Sequence, residues 1–179
     1  NLCCIHPFDD LDVIAGQGTA ARELIIECGK LDAVLSPIGG GGLMSGTSIA
    51  ARNMLPDSRI FGTEPVAADD AARSLSARKF IPPENPSTIC DGLLTSMRKT
   101  TSPIIRDHVE KIFTVEDRDV ERAMSIIHKI FDMIVEPSGA ISLAAVLSDE
   151  FRKLENIDSI GIILCGGNVD EENLPFELH

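Results

Sequence analysis

"SPIGGGGLMSG", residues 36–46, joins an apolar run to a run of small residues through four consecutive glycines. Glycine loses more backbone freedom on folding than any other residue, so four together are a poor choice for an ordinary loop. The flanks give them a use. "LDAVLSPIG" before them reads as a short buried strand, and "LMSGTSIAARNML" after them has helical spacing and ends at Pro56. Strand, glycine turn and helix together form an anion-binding arrangement. The first N–H groups of a helix have no intrahelical acceptor and carry a partial positive charge, and backbone without Cβ atoms lets an anion come close. Gly39, Gly40, Gly41 and Gly42 stand at that junction. The pattern is neither G-x-x-x-x-G-K-[ST] nor G-x-G-x-x-G, and no Lys follows Gly42, which argues against a nucleoside-triphosphate loop. The competing reading is a turn that packs a helix tightly on a strand.

Outward from this point, strands and helices alternate. The opening "NLCCIHPFDD" predicts a strand or strand end at Leu2–His6, and helical periodicity begins at Thr19 and stops at Gly29. "RIFGTEP" reads as a strand, "VAADDAARSLSARK" as a helix and "FIPPENPST" as a proline-rich connector. "KIFTV" is a strand leading into "EDRDVERAMSIIHKIFDMI", a helix opened by acidic residues. "EPSGAISLAAVLSDEFRKL" is the next helix, and "SIGIILCGGN" a last buried strand with Cys165 as its final residue. Short strands that are apolar on both faces, alternating with helices, predict an α/β fold: a mostly parallel twisted sheet with helices on both faces. Ligands of such sheets bind at the carboxyl ends of the strands, so the tetraglycine turn and "CGGN" are expected to face one crevice. Taken alone, Cys165 also fits a buried small hydrophobe.

The composition narrows the function. A net charge of −12 and the absence of Tyr and Trp argue against nucleic-acid binding. No apolar run reaches membrane-spanning length. Five cysteines, an odd number without zinc spacing, read as free thiols of a reducing compartment, hence a cytoplasmic protein.

With these residues assembled, the chain resembles the serine racemase and serine/threonine dehydratase family, pyridoxal-phosphate (PLP) enzymes of the tryptophan-synthase-β fold type. The resemblance runs from "HPFDDLDVIAGQGTAARE" through "SPIGGGGLMSG", "TEPVAADDA", "STICDGL" and "VEPSGAISLAAVL" to "LCGGNVD". It implies that Gly39, Gly40, Gly41 and Gly42, with the backbone of Leu43, hold the cofactor phosphate. Cys165 would meet the pyridine nitrogen. A neutral thiol there, in place of an acid, makes the ring a shallower electron sink and favours elimination of a β-substituent over transamination. Gly92 and Glu136 would lie near the ring, although Glu136 before Pro137 also suits an ordinary helix start. The same resemblance implies a Mg2+ (or Ca2+/Mn2+) site from Glu64, the carbonyl of Ala68 and Asp70, where solvated helix-start acids are the plainer alternative.

The family's cofactor-bonding lysine, in a Ser-Phe-Lys-x-Arg-Gly-like motif, has no counterpart among Lys30, Lys79, Lys99, Lys111, Lys129 and Lys153. Its substrate-carboxylate loop and its second base are missing as well. Residues 1–179 therefore resemble the carboxyl-terminal part of the large PLP-binding domain, without the small domain and without a catalytic residue of their own. The implied partners are the amino-terminal half of the same enzyme, L-serine or L-threonine, and a second copy in a homodimer. The implied activity is PLP-dependent lyase or isomerase chemistry once the chain is completed, with the chain inactive alone and no feedback domain following it. The alternatives are a non-catalytic or regulatory fragment that keeps the phosphate site, and a generic phosphate-binding α/β domain.

Overall fold

The computed structural model describes residues 4–170, 172 and 174–176. Six helices and four strands follow in chain order: α1 (Leu11–Cys28), β1 (Ala33–Pro37), α2 (Gly42–Met54), β2 (Arg59–Pro65), α3 (Asp70–Ala77), α4 (Thr101–His108), β3 (Lys111–Val115), α5 (Asp117–Phe131), α6 (Pro137–Leu147) and β4 (Ile160–Ile162). The sheet order is β3-β2-β1-β4, and every neighbouring pair is parallel. Leu35 stands between Phe61 of β2 and Ile162 of β4, so the chain leaves β1 and β4 at the same end of the sheet.

The strand alternation divides the core into two layers. Val34, Ile60 and Ile112 are buried with Ile25 of α1, Met44 and Ala51 of α2, Ala71 of α3 and Ile105 of α4. Leu35, Phe61 and Phe113 point the other way, onto Val120, Met124 and Ile127 of α5 and Ile141 and Ala145 of α6. On that face the rings of Phe61, Phe113 and Phe151 form a triangle with centroids 5.4 to 5.8 Å apart. Each strand is thus covered on both sides, the condition under which a parallel sheet reads as a continuous apolar run. The α/β prediction with helices on both faces is the observed architecture.

Several boundaries differ from the sequence reading. Leu2 and Cys3 of the predicted first strand lie outside the described residues, and Cys4–His6 form no strand. α1 begins at Leu11 rather than Thr19, capped by Asp10, whose Oδ1 accepts the N–H groups of Asp12 (2.9 Å) and Val13 (3.3 Å). Gly16 and Gly18 conceal this start from a propensity reading. Gly18 serves the crossing of α1 and α2, because a Cβ on Gly46 would run into Gly18 N and Ile14 O. The helix read over "VAADDAARSLSARK" is a 3-10 turn, Val66–Ala68, followed by α3. α6 stops at Leu147, and "FRK" is a separate 3-10 turn. β4 ends at Ile162, three residues before Cys165. The sequence reading places no element where α4 forms. Among the described residues no helix is long and apolar enough to cross a membrane.

Asp32 fastens the entry of β1 to that of β4. Its Oδ2 accepts the Ser159 hydroxyl (2.8 Å) and the N–H groups of Ser159 (2.8 Å) and Asp158 (3.0 Å). The Ser159 hydroxyl and then the two N–H groups hold its carboxyl down to about 2 from an ordinary 3.8. A depressed folded pKa means that this contribution is complete above the unfolded value and is lost as pH falls through the folded one. Asp32→Asn is therefore expected to lower stability at neutral pH and to flatten its fall from about pH 4 to about pH 2, read by denaturant unfolding across that range.

Candidate functional site

The glycine turn is buried throughout. Gly41 has φ +87°, a left-handed backbone that suits glycine, and serves as the N-cap of α2 without any side-chain cap. The first helical bond of α2 runs from Ser45 N to Gly41 O at 2.9 Å. Among the described residues, the N–H groups of Gly39, Gly40, Gly41, Gly42, Leu43 and Met44 find no acceptor. Buried N–H groups are almost always paired, so six unpaired ones in succession at a helix N-terminus offer donors of the kind an anion takes. They suit the phosphate of the cofactor that the resemblance implies. The hydroxyls of Ser36 and Ser45, which flank the turn in sequence, are also buried without a partner.

The missing Cβ atoms have a different use from the one expected. A Cβ on Gly40 would strike the ring of Phe8, and one on Gly42 would stand 2.8 Å from Phe8 Cβ. One on Gly39 would lie 2.9 Å from the carbonyl oxygen of Gly92, and one on Gly41 2.7 Å from Ile105 Cδ1. The glycines are demanded by protein packing on their Cα side, and not by close approach of an anion there. The tight-packing reading and the anion reading describe the same loop: packing consumes the side-chain space and leaves the N–H groups unpaired.

Gly92 lies against Gly39 and links the turn to two further segments, the start of α6 and the loop after β4. Gly92 donates its N–H to Ser138 Oγ (3.1 Å), at the start of α6, and its Cα lies near Glu136 Oε1 and Ser138. Glu136, the N-cap of α6, is held against the glycine loop after β4. Its N–H reaches Gly166 O (3.2 Å), its Oε2 accepts Asn168 N–H (3.1 Å), and a Cβ on Gly166 would strike its carboxylate. A Cβ on Gly139 would overlap the carbonyl oxygen of Cys165. Glu136 thus braces the loop that carries Cys165, as well as starting a helix with Pro137 at its first position. Burial pushes the half-buried Cys165 thiol up to about 11, with Glu136 adding to the effect. The thiol is uncharged near neutral pH. Cys90 is raised further, to about 12, first by burial, and is inert by the same reasoning.

The acidic group lies between β2 and the start of α3. Glu64 is 1% exposed and Asp70 3%. Glu64 Oε1 accepts Ala71 N–H (3.2 Å) and Oε2 accepts Ala72 N–H (2.8 Å), so the carboxylate lies against the amino end of α3. Burial outweighs these contacts and, with Asp70 and Asp69 nearby, lifts Glu64 to about 8. Asp70 is raised as well, first by burial. Ala68 is buried in the intervening turn. Among the described residues no group of three or more His, Cys, Asp or Glu side chains gathers to hold a metal.

Residues absent from the sequence reading complete the site. Phe8 packs on Gly40 and Gly42, Ser138 holds Gly92, and Thr101 donates its hydroxyl to Gly40 O at 2.8 Å. The run "KTTSPI", residues 99–104, has the Thr/Ser-then-Pro signature of a helix start and was the available signal for α4. Nothing local to Phe8 or Ser138 marks them, because their partners are distant in sequence.

The model of the family described as "Pyridoxal-phosphate dependent enzyme" matches residues 1–166. A serine racemase of Dictyostelium discoideum is 45% identical over 168 residues, covering 93% of this chain and 52% of that protein. An L-threo-3-hydroxyaspartate ammonia-lyase of Saccharomyces cerevisiae is 42% identical over 168 residues, with 93% and 51% covered. Among solved structures, maize serine racemase superposes with a TM-score of 0.92 at 43% identity, covering 95% of this chain and 53% of that one. The threonine deaminase of Solanum lycopersicum, isoform 2 in its processed form, gives 0.88 at 30%, covering 95% and 47%. The chain spans about half the length of the curated relatives it matches. With unpaired donors at the α2 start among the described residues, and a family model that matches residues 1–166, the chain belongs to the pyridoxal-phosphate-dependent enzymes.

Proposed function

We propose that this chain is the cofactor-phosphate half of a PLP-dependent serine/threonine dehydratase or serine racemase. The observation that carries the reading is the row of six N–H groups from Gly39 to Met44 that have no acceptor among the described residues. In this reading the N–H groups of Gly39 to Leu43 hold the phosphate, and the dipole of α2 favours its charge. Cys165 offers the pyridine nitrogen an uncharged partner, and Glu136, Gly92 and Ser138 keep its loop and the "CDGL" turn in place. The cofactor, when bound, supplies the electron sink for elimination or racemisation at an amino-acid carbon. Residues 1–179 then form the carboxyl-terminal part of a large PLP-binding domain, working in the cytoplasm within a homodimer.

The bond to the cofactor aldehyde falls to the amino-terminal half. All six lysines of this chain are exposed, and Lys30 and Lys111 engage Asp32 and Glu150. The isolated chain is expected to show no visible absorption band with PLP and to release no ammonia from L-serine or L-threonine. Adding the amino-terminal half is expected to restore both, as read by absorbance and an ammonia assay. Ammonia release by the isolated chain would overturn this assignment, and colour without turnover in the completed protein would favour a regulatory fragment.

The finer part of the reading is a divalent-metal site of Glu64, the Ala68 carbonyl and Asp70, binding Mg2+, Ca2+ or Mn2+. Two buried carboxylates with raised pKa values are short of positive charge, and a divalent ion would restore their ionised forms. Millimolar Mg2+ or Ca2+ is expected to raise Tm by several degrees relative to a chelator, through its preference for the folded state. Glu64→Gln should remove that increment, and a wild-type Tm indifferent to both ions would sink the metal assignment.

A further inference from the structure

One peptide of the glycine turn, Gly40–Gly41, is flanked by residues without side chains. Both φ/ψ settings of this peptide are open to the backbone, because no Cβ on either side restricts them. A trans peptide points its C=O and N–H in opposite directions. One orientation therefore places a donor in the anion cradle, and the other places a carbonyl oxygen there, which repels an anion. Something has to select between them.

Thr101 is fully buried at the first position of α4. Its hydroxyl accepts the N–H of Arg98 at 3.0 Å and donates to Gly40 O at 2.8 Å. A hydroxyl has one proton, and Arg98 N–H can only donate, so the direction of the Gly40 bond is fixed. Thr101 also fills the Cα side of Gly41, where a Cβ would meet its Cβ at 3.0 Å and its Oγ1 at 3.2 Å. With Gly40 O drawn toward α4, Gly41 N–H points away from α4, and it is one of the six donors without a protein partner. The start of α4 is itself tied down, since Asp9 Oδ1 accepts Thr100 N–H at 2.9 Å. Asp9 follows Phe8, which covers Gly40 and Gly42.

We propose that Thr101 is a positioning residue of the phosphate cradle, whose hydroxyl holds the Gly40–Gly41 peptide with its N–H turned toward the cofactor phosphate. The proposal rests on the reading of the glycine turn as the cofactor-phosphate site. It predicts an effect on the phosphate alone, which a purely structural threonine would not produce.

The test compares PLP with pyridoxal, which lacks the phosphate, by titration of the apo form of the completed enzyme. Thr101→Val keeps the shape and removes the hydroxyl, and Thr101→Ser keeps the hydroxyl. Loss of one aligned donor to a charged phosphate is expected to weaken PLP binding by Thr101→Val about tenfold. Pyridoxal affinity should stay unchanged, and Thr101→Ser should restore the PLP value. An unchanged ratio of PLP to pyridoxal affinity in Thr101→Val overturns the proposal, even if its Tm falls. If that variant does not fold, the wild-type amide spectrum decides. The Gly41 15N–1H resonance must move when PLP, but not pyridoxal, is added, and an unmoved resonance overturns the proposal. A wild-type enzyme that binds PLP no better than pyridoxal would instead defeat the phosphate-site reading itself.

Discussion

The structure depends on backbone packed against backbone at the junction of β1 and α2. Around Gly39 to Gly42 the space a side chain would need is taken by Phe8, Gly92, Ile105 and Thr101. These neighbours come from three separate segments: the chain before α1, the turn after residue 88, and α4. Such contact is open only to glycine. It leaves a row of amide donors with no protein acceptor, and buried donors of that kind require a partner. Packing therefore uses the Cα side of the same four residues whose N–H groups it leaves unpaired among the described residues.

Close approach recurs wherever the site is assembled. Gly139 lets the start of α6 touch the carbonyl of Cys165, Gly166 makes room for the Glu136 carboxylate, and Gly46 lets α2 lie against Gly18 of α1. Each of these glycines joins segments distant in sequence. Glu136 illustrates the consequence: a residue that opens a helix in local terms also braces the loop that carries Cys165, through Gly166 and Asn168. The thiol it stands beside is kept neutral by burial and by that carboxylate, so the electrostatics of the site follow from its packing.

The acids of β2 and α3 show the opposite balance. Glu64 has good hydrogen-bond partners in Ala71 and Ala72, and the amino end of α3 favours its charge, yet burial and the neighbouring aspartates dominate. A buried carboxylate with like charges beside it is unusual unless a cation or a proton completes it.

By itself, the sequence determined the elements and their class. Apolar strands alternating with helices, from "LDAVLSPIG" to "SIGIILC", encode a parallel sheet because both faces of each strand must be covered. Four glycines between strand and helix encode a run of helix-start amides without side chains, because both are local properties. Tertiary structure alone decided what fills the Cβ positions of those glycines. It also decided that Thr101 reaches Gly40 and that Cys165 lies beyond the end of β4. These outcomes depend on contacts between residues such as Gly40 and Thr101, 61 positions apart. Periodicity and propensity act over one or two turns of chain, and they carry no information about which distant backbone will come to lie against a glycine.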